Sequence, residues 1–155
     1  MAMPMFPQMT EVPRVFTLEE ANALVPSLQV EFGRLARLRA ELAPLIESMG
    51  GPEVSVGILE RGVRPEAGRE ADGERLKHLA AEIVAAVGRI DGLGCVVKDL
   101  DAGLVDFLSV RGEQPVYLCW QFGEPAVAHW HPVDEGFAGR QPIEGVAVAP
   151  PRFVN

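Results

Sequence analysis

The chain has 155 residues, 48% apolar and 23% charged, the proportions of one globular domain with a core of ordinary size. A formal charge of -8 and a pI near 4.9 argue against nucleic-acid binding, which relies on clustered Lys and Arg. Metal ions, cationic partners and small molecules are easier to accommodate. The N-terminal MAMPMFPQMTEVPRV lacks the pattern of a signal peptide, and no run approaches the roughly 18 apolar residues of a membrane span, so a cytoplasmic protein with no membrane partner is expected.

Residues 1–15 read as a flexible arm. Thr17 and Glu20 have the spacing of a capping box, which predicts a first helix over 16–48. Its stripe is Leu18, Ala21, Val25, Leu28, Phe32, Leu35, Leu42, Ile46 and Met49, a heptad seam that Arg39 interrupts. Pro26 should bend it after the second turn. Residues 50–73, rich in Gly and Pro, read as a loop. A second helix over 74–91 repeats the seam with Leu76, Leu79, Ile83 and Ile90 before Gly92 and Gly94 end it. Two such helices pack as an antiparallel hairpin. Because the first outruns the second, the helices also offer a surface for a homodimer or another docking partner.

From Cys95 the period changes to two, and turn residues recur at Asp101-Ala-Gly, Arg111-Gly-Glu-Gln and Gly123-Glu-Pro. The pattern predicts an antiparallel meander over 95–131, with strands near Val96–Leu100, Leu104–Val110, Val116–Phe122 and Ala126–His131. Residues 132–143 then form a loop anchored by Phe137, and 144–155 a tail. The expected fold is α+β, a long antiparallel helical hairpin packed on a small antiparallel β-meander, with one domain over 16–143.

Register decides what the meander can do, since a slip of one residue exchanges its faces. A three-residue loop at Gly123-Glu-Pro pairs Cys119 with His129, and a turn at Arg111–Gln114 sets Asp106 beside Cys119. One face then holds Val105, Phe107, Leu118, Trp120, Ala128 and Trp130, and the other Asp106, Tyr117, Cys119, Gln121, His129 and His131. The alternative register would bury the imidazoles among apolar side chains, at a cost unless they are hydrogen-bonded.

Imidazole, thiolate and carboxylate donors suit Zn, Fe, Ni or Cu better than Mg or Ca. The candidate metal ligands are therefore His131, His129, Cys119, Asp106 and Glu135, with Asp134 able to close the site or orient a ligand. Zinc and iron lead as cofactors, and with an open position either could activate water. The bland account is a polar sheet face on which histidines are tolerated. Arg140 is a candidate small-molecule or anion ligand through its planar guanidinium, although tethering the C-terminal loop to an acidic group explains it equally well. Lys98 pairs across strands with Asp106 on the plain reading, Asp101 suits a turn, and His78 a solvated helix position. No Ser-His-Asp order, P-loop or dinucleotide fingerprint is present, so no reaction is assigned. Cys95 and Cys119 are too few for a disulfide framework.

FTLEEANALVPSL, GCVVKDLDAGLVDF, VYLCWQFGE and WHPVDEGFAGRQPI together resemble the successive motifs of a bacterial domain of unknown function, number 2203, over Phe16–Ile143. The resemblance carries over Asp99, Gly103, Leu104, Asp106, Phe107, Cys119, Trp120, Gly123, Glu124, Trp130, His131, Gly136, Phe137, Gly139 and Arg140. It implies no activity. His129 lies outside the motif, which shifts weight toward His131 with acidic partners.

Overall fold

The first helix can begin at Leu18 because the residue before it supplies a reciprocal cap. The Glu20 backbone N–H donates to Thr17 Oγ1 (3.1 Å) and the Thr17 N–H donates to Glu20 Oε1 (2.9 Å). The computed structural model describes residues 14–143, so the tail at 144–155 and all of the arm but Arg14 and Val15 lie outside the described residues. Its elements are α1 (Leu18–Ser48), α2 (Pro52–Arg61), α3 (Glu70–Asp91), β1 (Val96–Asp99), β2 (Leu104–Arg111), β3 (Gln114–Gln121), β4 (His129–Pro132), a 3-10 turn (Phe137–Gly139) and β5 (Gln141–Pro142). The fold is α+β. The chain divides into two compact units, one built from residues up to Leu28 and from Asp91 onward, the other from Gln29–Ile90.

In the second unit a ladder of polar pairs gives the helix direction. Arg89 Nε meets Glu31 Oε1 at 3.0 Å, Arg75 Nη2 meets Glu41 Oε2 at 3.0 Å, and Arg69 reaches the Ser48 carbonyl and hydroxyl. Partner numbers fall on α3 as they rise on α1, so the two segments run antiparallel. Phe32, Leu35 and Leu38 of α1 and Leu76, Leu79, Ala86 and Ile90 of α3 are buried. The stripe passes Arg39 by stepping three residues from Leu35 to Leu38 rather than being interrupted. α1 continues as helix through Pro26.

The segment expected as a loop over 50–73 instead carries α2, and α3 starts at Glu70 rather than 74. α2 spans Pro52–Arg61, too short for a sustained apolar period, and buries only Ser55, Gly57 and Ile58. Its punctuation was present, however: Pro52 in the first turn and Gly62 as a left-handed cap at φ 66°, whose N–H donates to the Gly57 carbonyl.

In the first unit the five strands follow chain order, all antiparallel. The Phe16 N–H donates to the Leu108 carbonyl (2.7 Å), Ser109 Oγ donates to the Phe16 carbonyl (2.6 Å), and the Phe16 ring stands edge-on to Phe107 at 5.1 Å. Phe16, Val105, Phe107, Trp120 and Val127 are buried to within 1% of their surface. β2 and β3 pair as expected, Arg111 opposite Gln114 and Asp106 opposite Cys119. Gly103, at φ 70°, admits no side chain in the turn from β1, since a Cβ would lie 2.4 Å from Phe122 Cβ.

β3 and β4 keep the expected register, Cys119 opposite His129, but β4 starts at His129 rather than Ala126. The reason is Asn22 of α1. Its Oδ1 accepts the Val127 N–H at 2.7 Å and its Nδ2 donates to the Val127 carbonyl at 3.4 Å, taking the bonds a longer strand would make. The loop expected over 132–143 contributes a fifth strand, with His129 opposite Pro142 and Trp130 opposite Gln141.

Candidate metal centre

Alternation along β2, β3 and β4 sends Asp106, Cys119 and His131 to the same face of the sheet. All three are buried, at 1%, 1% and 2% exposure, so this face is polar but not solvated at its centre. Asp106 lies directly opposite Cys119, and His131 opposite Tyr117, two residues away along β3. The diagonal closes in space: His131 Nε2 lies 2.8 Å from Asp106 Oδ2, and one donor atom each from Asp106, Cys119 and His131 lie within 4.8 Å of one another.

The proton positions follow from the partners. His131 Nδ1 lies 2.8 Å from the Pro132 carbonyl, which can only accept, so Nδ1 carries hydrogen. Nε2 therefore either donates to the Asp106 carboxylate as part of an imidazolium or accepts from a protonated Asp106. Asp106 Oδ1 is buried and has no hydrogen-bond partner. The Cys119 thiol is pushed up to about 12, first by burial and then by the negative Asp106 beside it. A thiol held in that state is no nucleophile near neutral pH, and His131, with both nitrogens engaged, is not placed to activate it.

His129 does not join this group. Its Nδ1 lies 3.1 Å from Arg140 Nη2 and so accepts, leaving hydrogen on Nε2, whereas His131 carries hydrogen on Nδ1. Burial, then the adjacent Arg140 charge, lowers its pKa from the ordinary histidine value. Arg140 Nη2 donates to Glu124 Oε1 at 2.8 Å, and the same carboxylate oxygen accepts the Gln121 N–H at 2.7 Å. Arg140 thus ties the C-terminal loop to the β3 end, and its guanidinium also stacks 4.6 Å over Phe137. Phe137, expected to anchor this loop, is 43% exposed; the tether is Arg140. Glu135 is exposed and packs beside Gly139, apart from the three buried donors.

Two neighbours had less weight in the sequence. Lys98 Nζ stands 3.9 Å from Asp106 Oδ2 and 4.6 Å over the Tyr117 ring, the cross-strand pairing its position suggests. Glu124 is the acidic group that Arg140 meets, and its place directly after Gly123 in a turn was the available signal. The Asp99 carboxylate, by contrast, is absorbed by the turn, where it accepts the Ala102 N–H at 3.0 Å.

The family described as "Uncharacterized conserved protein (DUF2203)" matches residues 14–143, which includes every residue of this centre. The chain belongs to that family. No curated protein and no solved structure matches the chain. Among the described residues no helix is long and apolar enough to cross a membrane.

Proposed function

We propose that this DUF2203 protein binds one transition-metal ion, with zinc leading and iron second, through Asp106, Cys119 and His131. One observation carries the reading: three side chains of the right donor types converge within 4.8 Å inside the protein, where each must otherwise find a partner. Three further features fit. His131 Nδ1–H is bonded to a backbone carbonyl, the usual way a ligating imidazole is oriented with its other nitrogen turned to the ion. Its Nε2 is 2.8 Å from Asp106 Oδ2, close to the roughly 3 Å that separates two ligand atoms on one tetrahedral ion. Asp106 Oδ1 is buried without a hydrogen bond of normal geometry, and the Cys119 thiol interacts with the same carboxylate. Three protein donors leave a fourth position open to water or a small ligand. Binding has to expel the Cys119 proton and the proton shared between His131 Nε2 and Asp106 Oδ2, so it releases acid.

Elemental analysis of untagged protein tests the proposal. About one zinc or iron per chain is expected in the wild type. Cys119→Ser and His131→Gln should contain little, and chelation should lower the wild-type Tm alone. Equal, substoichiometric metal in all three proteins, with Tm indifferent to chelator and to added zinc, would overturn it.

A further inference from the structure

Lys98 occupies an unusual place in the sheet. β1 pairs Val97 with Val105 and Asp99 with Leu104, so the ladder shifts register at Lys98. Such irregularities commonly re-aim a side chain next to a functional site. Here the side chain leads to the buried donors, with Nζ 3.9 Å from the Asp106 oxygen that His131 Nε2 also approaches, at 2.8 Å. Its other support is the face of Tyr117, 4.6 Å away, and that ring lies 5.6 Å from His131. Lys98 is 39% exposed where Asp106 is 2% exposed, so its head can swing into water without disturbing the core.

We propose that Lys98 competes with the metal for Asp106, as an ammonium that stands beside the carboxylate in the metal-free protein and is displaced when a divalent ion arrives. The inference rests on the metal reading above and adds what regulates that site. In the metal-free protein the proton between His131 Nε2 and Asp106 Oδ2 already makes that pair neutral, and the ammonium 3.9 Å away polarises the same oxygen further. A divalent ion bound to Asp106 replaces that shared proton and puts a larger positive charge beside the ammonium. Two cations close to one oxygen repel each other, and here the shared oxygen is buried although the ammonium reaches water. Lys98 therefore competes with the ion and raises the concentration at which the site fills.

The test compares full-length wild type with Lys98→Met, which keeps the aliphatic stem over Tyr117 and removes the charge, and Lys98→Arg, which keeps the charge. Zinc affinity is read by competition with a chromophoric chelator. Lys98→Met should bind zinc about tenfold or more tightly than wild type, and Lys98→Arg should stay near wild type. Zinc should also raise the Tm of Lys98→Met by more than it raises that of wild type, although the metal-free Tm of the variant is lower. A merely structural lysine gives the opposite sign, since a loosened site binds more weakly. Zinc binding by wild type with equal or weaker affinity in Lys98→Met overturns this inference and leaves the metal reading standing. Absence of zinc binding in all three proteins overturns the metal reading, and this inference with it.

Discussion

The centres of both faces of the sheet are buried, and they are held by different forces. On one, Val105, Phe107, Leu118, Trp120 and Trp130 are packed through apolar area and dispersion. On the other, Asp106, Cys119 and His131 are buried through a 2.8 Å hydrogen bond, a nearby ammonium and a backbone carbonyl. The apolar face stabilises without regard to protons or ions. The polar face is satisfied only in part, with one carboxylate oxygen unpartnered, and that makes it a candidate for ligand binding rather than a source of stability.

The largest effects should separate the faces by additivity. In metal-free protein, Trp120→Ala should lose about 3–5 kcal/mol in urea unfolding, because nothing else can fill the volume. Asp106→Leu should lose a comparable amount, about 3–5 kcal/mol, by stranding His131 in the interior. The double variant Asp106→Leu/His131→Leu should recover most of that loss, since replacing a buried polar pair with apolar groups is often neutral. A double variant as unstable as Asp106→Leu alone would break the comparison and make the polar face a net stabiliser.

A smaller effect is expected at alkaline pH. The Cys119 thiol is raised to about 12 and Cys95 to about 11, both first through burial, so the folded state favours the protonated thiols. Their contribution is fully present below the unfolded-state value near 9 and is lost as pH rises toward 11 and 12. Unfolding midpoints of metal-free protein should fall over that window, and fall less in Cys119→Ala.

The smallest effect is acidic and sits at the edge of the polar face. His129 has its pKa lowered by burial and by Arg140, so the fold favours the neutral ring. That contribution is present above the ordinary histidine range and is lost as pH falls through the lowered folded value. His129→Gln should flatten the stability profile below about pH 6.5, the ordinary histidine value. An unchanged acid limb would remove His129 from the Arg140–Glu124 cluster as an energetic partner.

Much of this architecture was legible from short-range chemistry. Thr17 and Glu20 announce the start of α1, Asp101-Ala-Gly and Arg111-Gly-Glu-Gln announce turns, and turn length together with alternation places Asp106 beside Cys119 and Cys119 beside His129. Helix α2 escaped notice because ten residues carry too little period to outweigh the glycines around them. β5 escaped because two residues carry none.

Capping, turn geometry and two-residue alternation act between neighbours in the chain, so the α+β class, the strand pairing and the face of each donor could be read from the sequence. The choice of imidazole was different. His129 and His131 share a face and alternate along one strand, yet one turns to Arg140 and the other to Asp106. The motif resemblance favours His131, but alternation and spacing do not, because the choice depends on a diagonal contact across three strands and on a guanidinium arriving from residue 140, which only the assembled sheet brings within bonding distance.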